Sequence, residues 1–598
     1  MVGPAIALRR FDIPMKLYRI AALAPLLVLA ACAEQPVQEG AEPAQQPSST
    51  APAQKPRVVV RPTVKPSVLP QQELSQAVLF KLLLAEIALQ RGQNNVAVQS
   101  YLELTRETRD PRIAQRATEV AWNSRFLGVA LETAGIWLAA DPESVQARQV
   151  LATLLVSQSR LAEAQPYLEK SLAADKENLG HNFLQLNTLL ARHPDKAAVL
   201  ALTQSLAKPY PTLPEAHYSI AQAAVGAGQS ELALAEIRAA LKYRPDWEQA
   251  ALFQGQLLQR ASSADALAYY QGYLRSYPQA MDVRLNYARL LVTGKQYTEA
   301  RNEFQALLKE FPNNPDVSLA VGLLSLQLND YETAETQLQH ALETNYKDPD
   351  TVRFYLGQAN EERKHLEEAL RWYGSVSGGE QYVPSRARYA SILVKQGRMP
   401  EARKYLQEAA RNGQERVQFT QAEAQLLRDA NEFREAYDLL GQALEKNPNS
   451  PELLYDHAMA AEKIDRIDVL ESNLRKVIEL KPDYAHAYNA LGYTLADRNT
   501  RLPEAYTLIE QALKLAPEDP FIIDSMGWVL YRRGKLKDSL SYLQRAYAGR
   551  PDPEIAAHLG EVLWALGERS EAERVWGDAS KEAPDNETLA NTIKRLKH

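Results

Sequence analysis

The chain has 598 residues, too many for one compact core, and its content of 45% hydrophobic and 24% charged residues is that of an ordered, helix-rich protein. Lys and Arg number 68 against 74 Asp and Glu, a formal net charge of −6, so no positive field favours a phosphate backbone and nucleic acid is not an expected partner. The single cysteine, Cys32, excludes a disulfide framework and a cysteine-rich metal site.

Residues 15–32 read MKLYRIAALAPLLVLAAC. Lys16 and Arg19 supply a positive start, and the 11 apolar residues from Ala21 to Ala31 have the length of a signal peptide and are too few to span a bilayer. Residues 1–31 are therefore read as a signal, with Met15 as its natural start and the first 14 residues as an upstream extension. The last four residues, Leu29-Ala30-Ala31-Cys32, resemble the lipobox of bacterial lipoproteins, in which the cysteine is acylated and becomes the first mature residue. That resemblance implies lipidation of Cys32, an effectively permanent anchor because each buried methylene contributes about 0.8 kcal/mol. Ala33, where inner-membrane retention favours Asp, implies the periplasmic face of the outer membrane.

Residues 32–70 form a tether rich in Pro, Gln, Ala and Ser without apolar periodicity, which cannot pack a core. Within it, Val58-Val59-Val60 is too short a run to demand a strand.

From residue 71 the chain is repetitive. Pro211, Pro245, Pro278, Pro312, Pro448, Pro482, Pro517, Pro551 and Pro584 follow one another at 33 to 35 residues, except for one interval of 136, four times 34. This period is the tetratricopeptide signature. Tyr488, Leu491, Gly492, Ala505, Ile509, Ala512 and Pro517 make one unit; Leu559-Gly560 with Ala572, Trp576, Ala579 and Pro584 make another. Small residues let two antiparallel helices approach, aromatic and Leu residues fill the space between them, and the trailing Pro stops the second helix. Gly92, Gly228, Gly294, Gly397, Gly534 and Gly567 mark turns within pairs, where left-handed backbone is wanted. The expected fold is all-α: a tetratricopeptide-repeat right-handed superhelical solenoid over residues 71–588, with about 15 helical pairs and a C-terminal cap at 589–598. Gly180 to Lys208 and Val376 to Gln414 match the pattern poorly.

Catalytic and metal signals are coincidental. Ser205-Leu-Ala-Lys208 has the SxxK spacing of serine acyl enzymes but precedes Pro209 and lacks companion motifs. Gly226-Ala-Gly228 and Gly534-Lys535 lack the rest of a phosphate loop, and His193, His217, His340 and His365 lack zinc spacing. No catalytic residue, metal ligand or cofactor is expected, so function must come from surface.

Two surfaces are candidates for binding a partner. In the best-matching units, the first helices are expected to project His486, Asn489, Tyr493 and Asp497, then Phe521, Asp524, Trp528, Tyr531 and Arg532, onto a concave face, although Tyr and Trp there also suit packing between units. The first helix, Ala77 to Leu89, is apolar almost all round and so is expected to be covered on both sides, by another segment of the chain or by a partner, through residues such as Leu79, Leu83 and Ile87.

Signal, lipobox, Pro-rich tether and tetratricopeptide array together resemble the outer-membrane lipoprotein adaptors of periplasmic carboxyl-terminal processing proteases in pseudomonads. The resemblance implies a non-enzymatic, membrane-anchored scaffold that binds such a serine protease, activates it and delivers substrates such as peptidoglycan hydrolases. Scaffold lipoproteins of envelope export, pilus or polysaccharide secretion share the architecture, and the sequence leaves the two open. A hydrolase acting on its own would need a catalytic domain, for which the repeats leave no room.

Overall fold

The computed structural model describes residues 74–597; the signal, Cys32 and the tether lie outside the described residues. Among the described residues there are 31 α-helices and no strand, an all-α solenoid of helical pairs. Residues 74–310 form one compact unit of 14 helices, 12 of them in six packed pairs, and residues 311–597 a second of eight pairs closed by a last helix, Glu587–Lys597.

The helix boundaries follow from local chemistry. Ser75, Asp110, Ser144, Asp195, Ser262, Asn314, Ser450, Asp519 and Asp552 each place a side-chain oxygen on a free backbone N–H of the first turn. Prolines serve at both ends. Pro315, Pro451, Pro520 and Pro553 open helices, where a missing N–H costs nothing. The periodic prolines sit just beyond helix ends: Pro245 follows the C-cap Arg244, and Pro517 the C-cap Ala516.

The turn glycines behave as expected at Gly92, Gly228, Gly397, Gly534 and Gly567, all with positive φ. Gly294 is a correction. It is an ordinary C-cap at φ −78°, and the left-handed position belongs to Lys295 at φ 58°. Asn329, Asn431 and Asn499 fill the same role in other pairs, and Asn345 does so between two pairs, since Asn tolerates this backbone best after Gly.

Within each pair the first helix meets a large residue of the second. A Cβ on Gly560 would lie 2.0 Å from Trp576 Nε1, and one on Gly357 would lie 2.5 Å from Tyr373 Cε1, so no larger residue fits without displacing the aromatic ring. Ala369, Ala505 and Ala572 beside these contacts are fully buried. Of the stretches that match the repeat poorly, Tyr382–Lys395 and Met399–Ala409 still fold as a pair, whereas Leu179–Leu190 and Lys196–Ala207 are helical but pack on Pro214–Gly226 and Leu161–Ala174 rather than on each other. Among the described residues no helix is long and apolar enough to cross a membrane.

Candidate binding surfaces

In the unit 311–597, the first helices of the last three pairs, Ala485–Asp497, Pro520–Arg532 and Pro553–Ala565, pack side by side as well as on their own partners. Each therefore gives up to its neighbour part of the face that the sequence alone assigns to solvent. Asn489, Tyr493, Asp524 and Trp528 are buried, at 1, 5, 0 and 5% exposure, which corrects the expectation that they project outward. His486, Asp497, Phe521, Tyr531 and Arg532 are half-buried and form the accessible remainder.

What holds the buried set together is His558, a residue the sequence reading did not single out. Its Nδ1 faces the Asp524 carboxylate at 2.9 and 3.1 Å, its Nε2 lies 3.4 Å from the Tyr493 hydroxyl, and its ring stacks on Trp528 with centroids 4.2 Å apart. With Nδ1 donating to the carboxylate, Nε2 of a neutral ring accepts from Tyr493. One imidazole thus ties three consecutive pairs through residues 34 and 65 positions away in sequence. The 34-residue offset of Asp524 and His558 is one repeat period, the one sequence signal that could have found the contact.

At the edge of this cluster the Arg532 guanidinium lies 5.7 Å over the Trp528 ring, and the Tyr531 hydroxyl donates to Glu561 at 3.2 Å. Burial, and after it the Glu561 carboxylate, push the Tyr531 phenol up from its ordinary pKa. Glu561 also accepts from Arg595 of the closing helix at 2.5 Å. Two buried polar atoms, Asn489 Oδ1 and Trp528 Nε1, find no hydrogen-bond partner among the described residues. Around these buried atoms the layer leaves half-exposed aromatic and cationic groups, a composition suited to holding a polypeptide.

In the first helix, Gln76–Gln90, Ala85 and Ala88 are buried, while among the described residues Leu79, Phe80, Leu83, Leu84 and Ile87 are 40, 65, 52, 38 and 46% exposed. These five lie on consecutive turns of one face, and no described segment covers them. Ala85 and Ala88, flanked by Val78, Leu82 and Leu89, face the core, and the five exposed residues face away from it. Charges rim the strip on both sides. Lys81 meets Glu107 at 3.0 Å and Glu103 at 3.4 Å; Arg116 meets Glu86 at 3.1 Å and Glu119 at 3.7 Å. Glu86 also accepts from the buried Tyr101 hydroxyl, and burial together with that carboxylate pushes the phenol up to about 12.

Among the described residues no cluster of His, Cys, Asp and Glu is disposed to hold a metal ion. Ser205 Oγ accepts from Gln165 at 2.9 Å, and Lys208 caps the helix on which Ser205 sits.

Tetratricopeptide-repeat family models match residues 257–324, 294–354 and 525–587. A TPR repeat-containing protein of Pseudomonas aeruginosa is 37% identical over 529 residues, 87% of this chain and 88% of that protein. The chain belongs to the tetratricopeptide-repeat family. Solved structures similar to this chain include yeast Tom70, at 12% identity over 87% of this chain and 95% of that one with a TM-score of 0.34. A thermophilic TPR protein of Thermus thermophilus is 23% identical over 30% of this chain and 97% of its own, with a TM-score of 0.28. The family assignment rests on the sequence match. Repeats of this kind make the chain a protein–protein interaction scaffold.

Proposed function

We propose that this tetratricopeptide protein is a non-enzymatic adaptor, anchored through lipidated Cys32 at the periplasmic face of the outer membrane. It binds and activates a periplasmic serine protease of the carboxyl-terminal processing type and delivers substrates such as peptidoglycan hydrolases. The lipobox, the Pro-rich tether and a pseudomonad relative matching 88% of its own length support this reading.

The observation that carries the binding role is the side-by-side layer at Ala485–Asp497, Pro520–Arg532 and Pro553–Ala565. Its polar and aromatic groups are held in place by buried contacts, while Tyr531, Arg532 and Asp497 stay within reach of a partner. Side chains positioned in this way lose little freedom when a chain docks on them.

The test is affinity capture from a detergent-solubilised envelope, comparing the native chain with a Tyr531→Ala, Arg532→Glu variant. A serine protease recovered with the native chain and depleted with the variant is the expected result. Recovery of export, pilus or polysaccharide-secretion components in its place, or hydrolysis of a cell-wall substrate by the purified chain alone, overturns the reading.

A further inference from the structure

The open face of Gln76–Gln90 is the largest feature that the binding layer does not absorb. Leu79, Phe80, Leu83, Leu84 and Ile87 present a strip on the order of several hundred Å², the upper end of what monomeric proteins leave in water. The rim of this strip holds four carboxylates, Glu86, Glu103, Glu107 and Glu119, against two cations, Lys81 and Arg116, so it is net negative. A second copy of the helix would bring two acidic rims together, which disfavours self-association. The occupant should be apolar, basic at its flanks and close at hand.

We propose that residues 57–69 of this chain, RVVVRPTVKPSVL, fold back over the first helix and cap the array. Three observations converge on this segment. It carries Val58, Val59, Val60, Val64, Val68 and Leu69, whereas residues 33–56 of the tether contain one large aliphatic residue, Val37. Arg57, Arg61 and Lys65 are interleaved with these and match the acidic rim in sign. Lastly, the segment ends seven residues before Gln76. The 15-residue helix is about 22 Å long, which about seven extended residues span, and the six residues between Leu69 and Gln76 suffice to cross its width of about 10 Å.

Tethering gives the segment an effective concentration in the millimolar range, which no free partner matches. Its prolines also suit the site: Pro62 and Pro66 have no N–H to leave without a partner against an apolar helix. The cap covers one end of the solenoid with a segment that is not itself a repeat.

The test uses thiol accessibility in the full chain with Cys32→Ser, so that an added cysteine is the sole one. Leu83→Cys is introduced, and its rate of maleimide labelling is compared with that of the same chain lacking residues 57–69. The cap predicts labelling at least tenfold faster after the deletion, with unchanged helicity and a monomer in both. Arg57→Glu with Arg61→Glu and Lys65→Glu should also speed labelling, and Glu103→Lys with Glu107→Lys in that background should slow it again. Equal labelling rates with and without the segment overturn the proposal in favour of a face left open for another protein. Protection that disappears on dilution overturns it in favour of a second copy.

Discussion

The two terminal helices of the described chain solve the same problem in opposite ways. Glu587–Lys597 buries Leu589, packs Ile593 and Leu596 on the cluster around Trp576, and turns Lys594, Arg595 and Lys597 outward, where Arg595 and Lys597 pair with Glu561 and Glu573. Gln76–Gln90 buries two alanines and turns five large apolar side chains outward. A stack of helical pairs ends stably only where its outer face is polar. The last helix meets that condition by itself, and among the described residues the first does not.

The strongest challenge to this contrast lies in the cluster beneath the closing helix. Asp524→Ala leaves the buried His558 Nδ1–H without its acceptor, and should destabilise residues 311–597 by about 1–3 kcal/mol in urea unfolding. Adding His558→Ala should recover part of that loss, and simple additivity of the two would mean that the pair is not coupled.

A matched pair of truncations addresses the two ends directly. Leu589→Ala, at 1% exposure, should cost about 2–5 kcal/mol, whereas Leu83→Ala, at 52%, should stay within about 0.5 kcal/mol in a chain without its tether. Equal losses would erase the difference between the ends. A smaller effect concerns acid. Arg501, and after it Arg475, hold the Glu471 carboxyl at about 2, below its ordinary value near 4.5. Its stabilising contribution is complete above the ordinary value and is lost as pH falls towards 2, because the unfolded chain takes up the proton first. Glu471→Gln should flatten the acid limb of a pH–stability curve in that window, and an unchanged limb would show that these exposed pairs contribute nothing. The smallest expected change is in far-ultraviolet circular dichroism of Leu79→Asp with Leu83→Asp, which should keep the helicity of the native chain because both sites are exposed.

Much of the fold was legible in the sequence because its determinants are local or one period apart. The proline register recurs at one period, and the small residues such as Gly560 that face Trp576 act within a single pair. The surfaces were harder to read. Whether Tyr493 or Trp528 faces solvent depends on how closely successive first helices approach, and the contact of Tyr493 with His558 spans 65 residues. The periodic pattern says which face of a helix leaves its own pair and not how much of that face the next pair covers. In Gln76–Gln90 the packed side takes Ala85 and Ala88 with parts of Val78, Leu82 and Leu89, and the other large residues fall on the side that no described repeat covers.

The most direct test of the adaptor account is the turnover of a purified carboxyl-terminal processing protease on a cell-wall hydrolase, measured with and without the purified scaffold. The account predicts little turnover by the protease alone, none by the scaffold alone, and a rise of at least tenfold when the two are mixed, lost with Arg532→Glu. Turnover that is indifferent to the scaffold, or a rise that Arg532→Glu leaves intact, would contradict it.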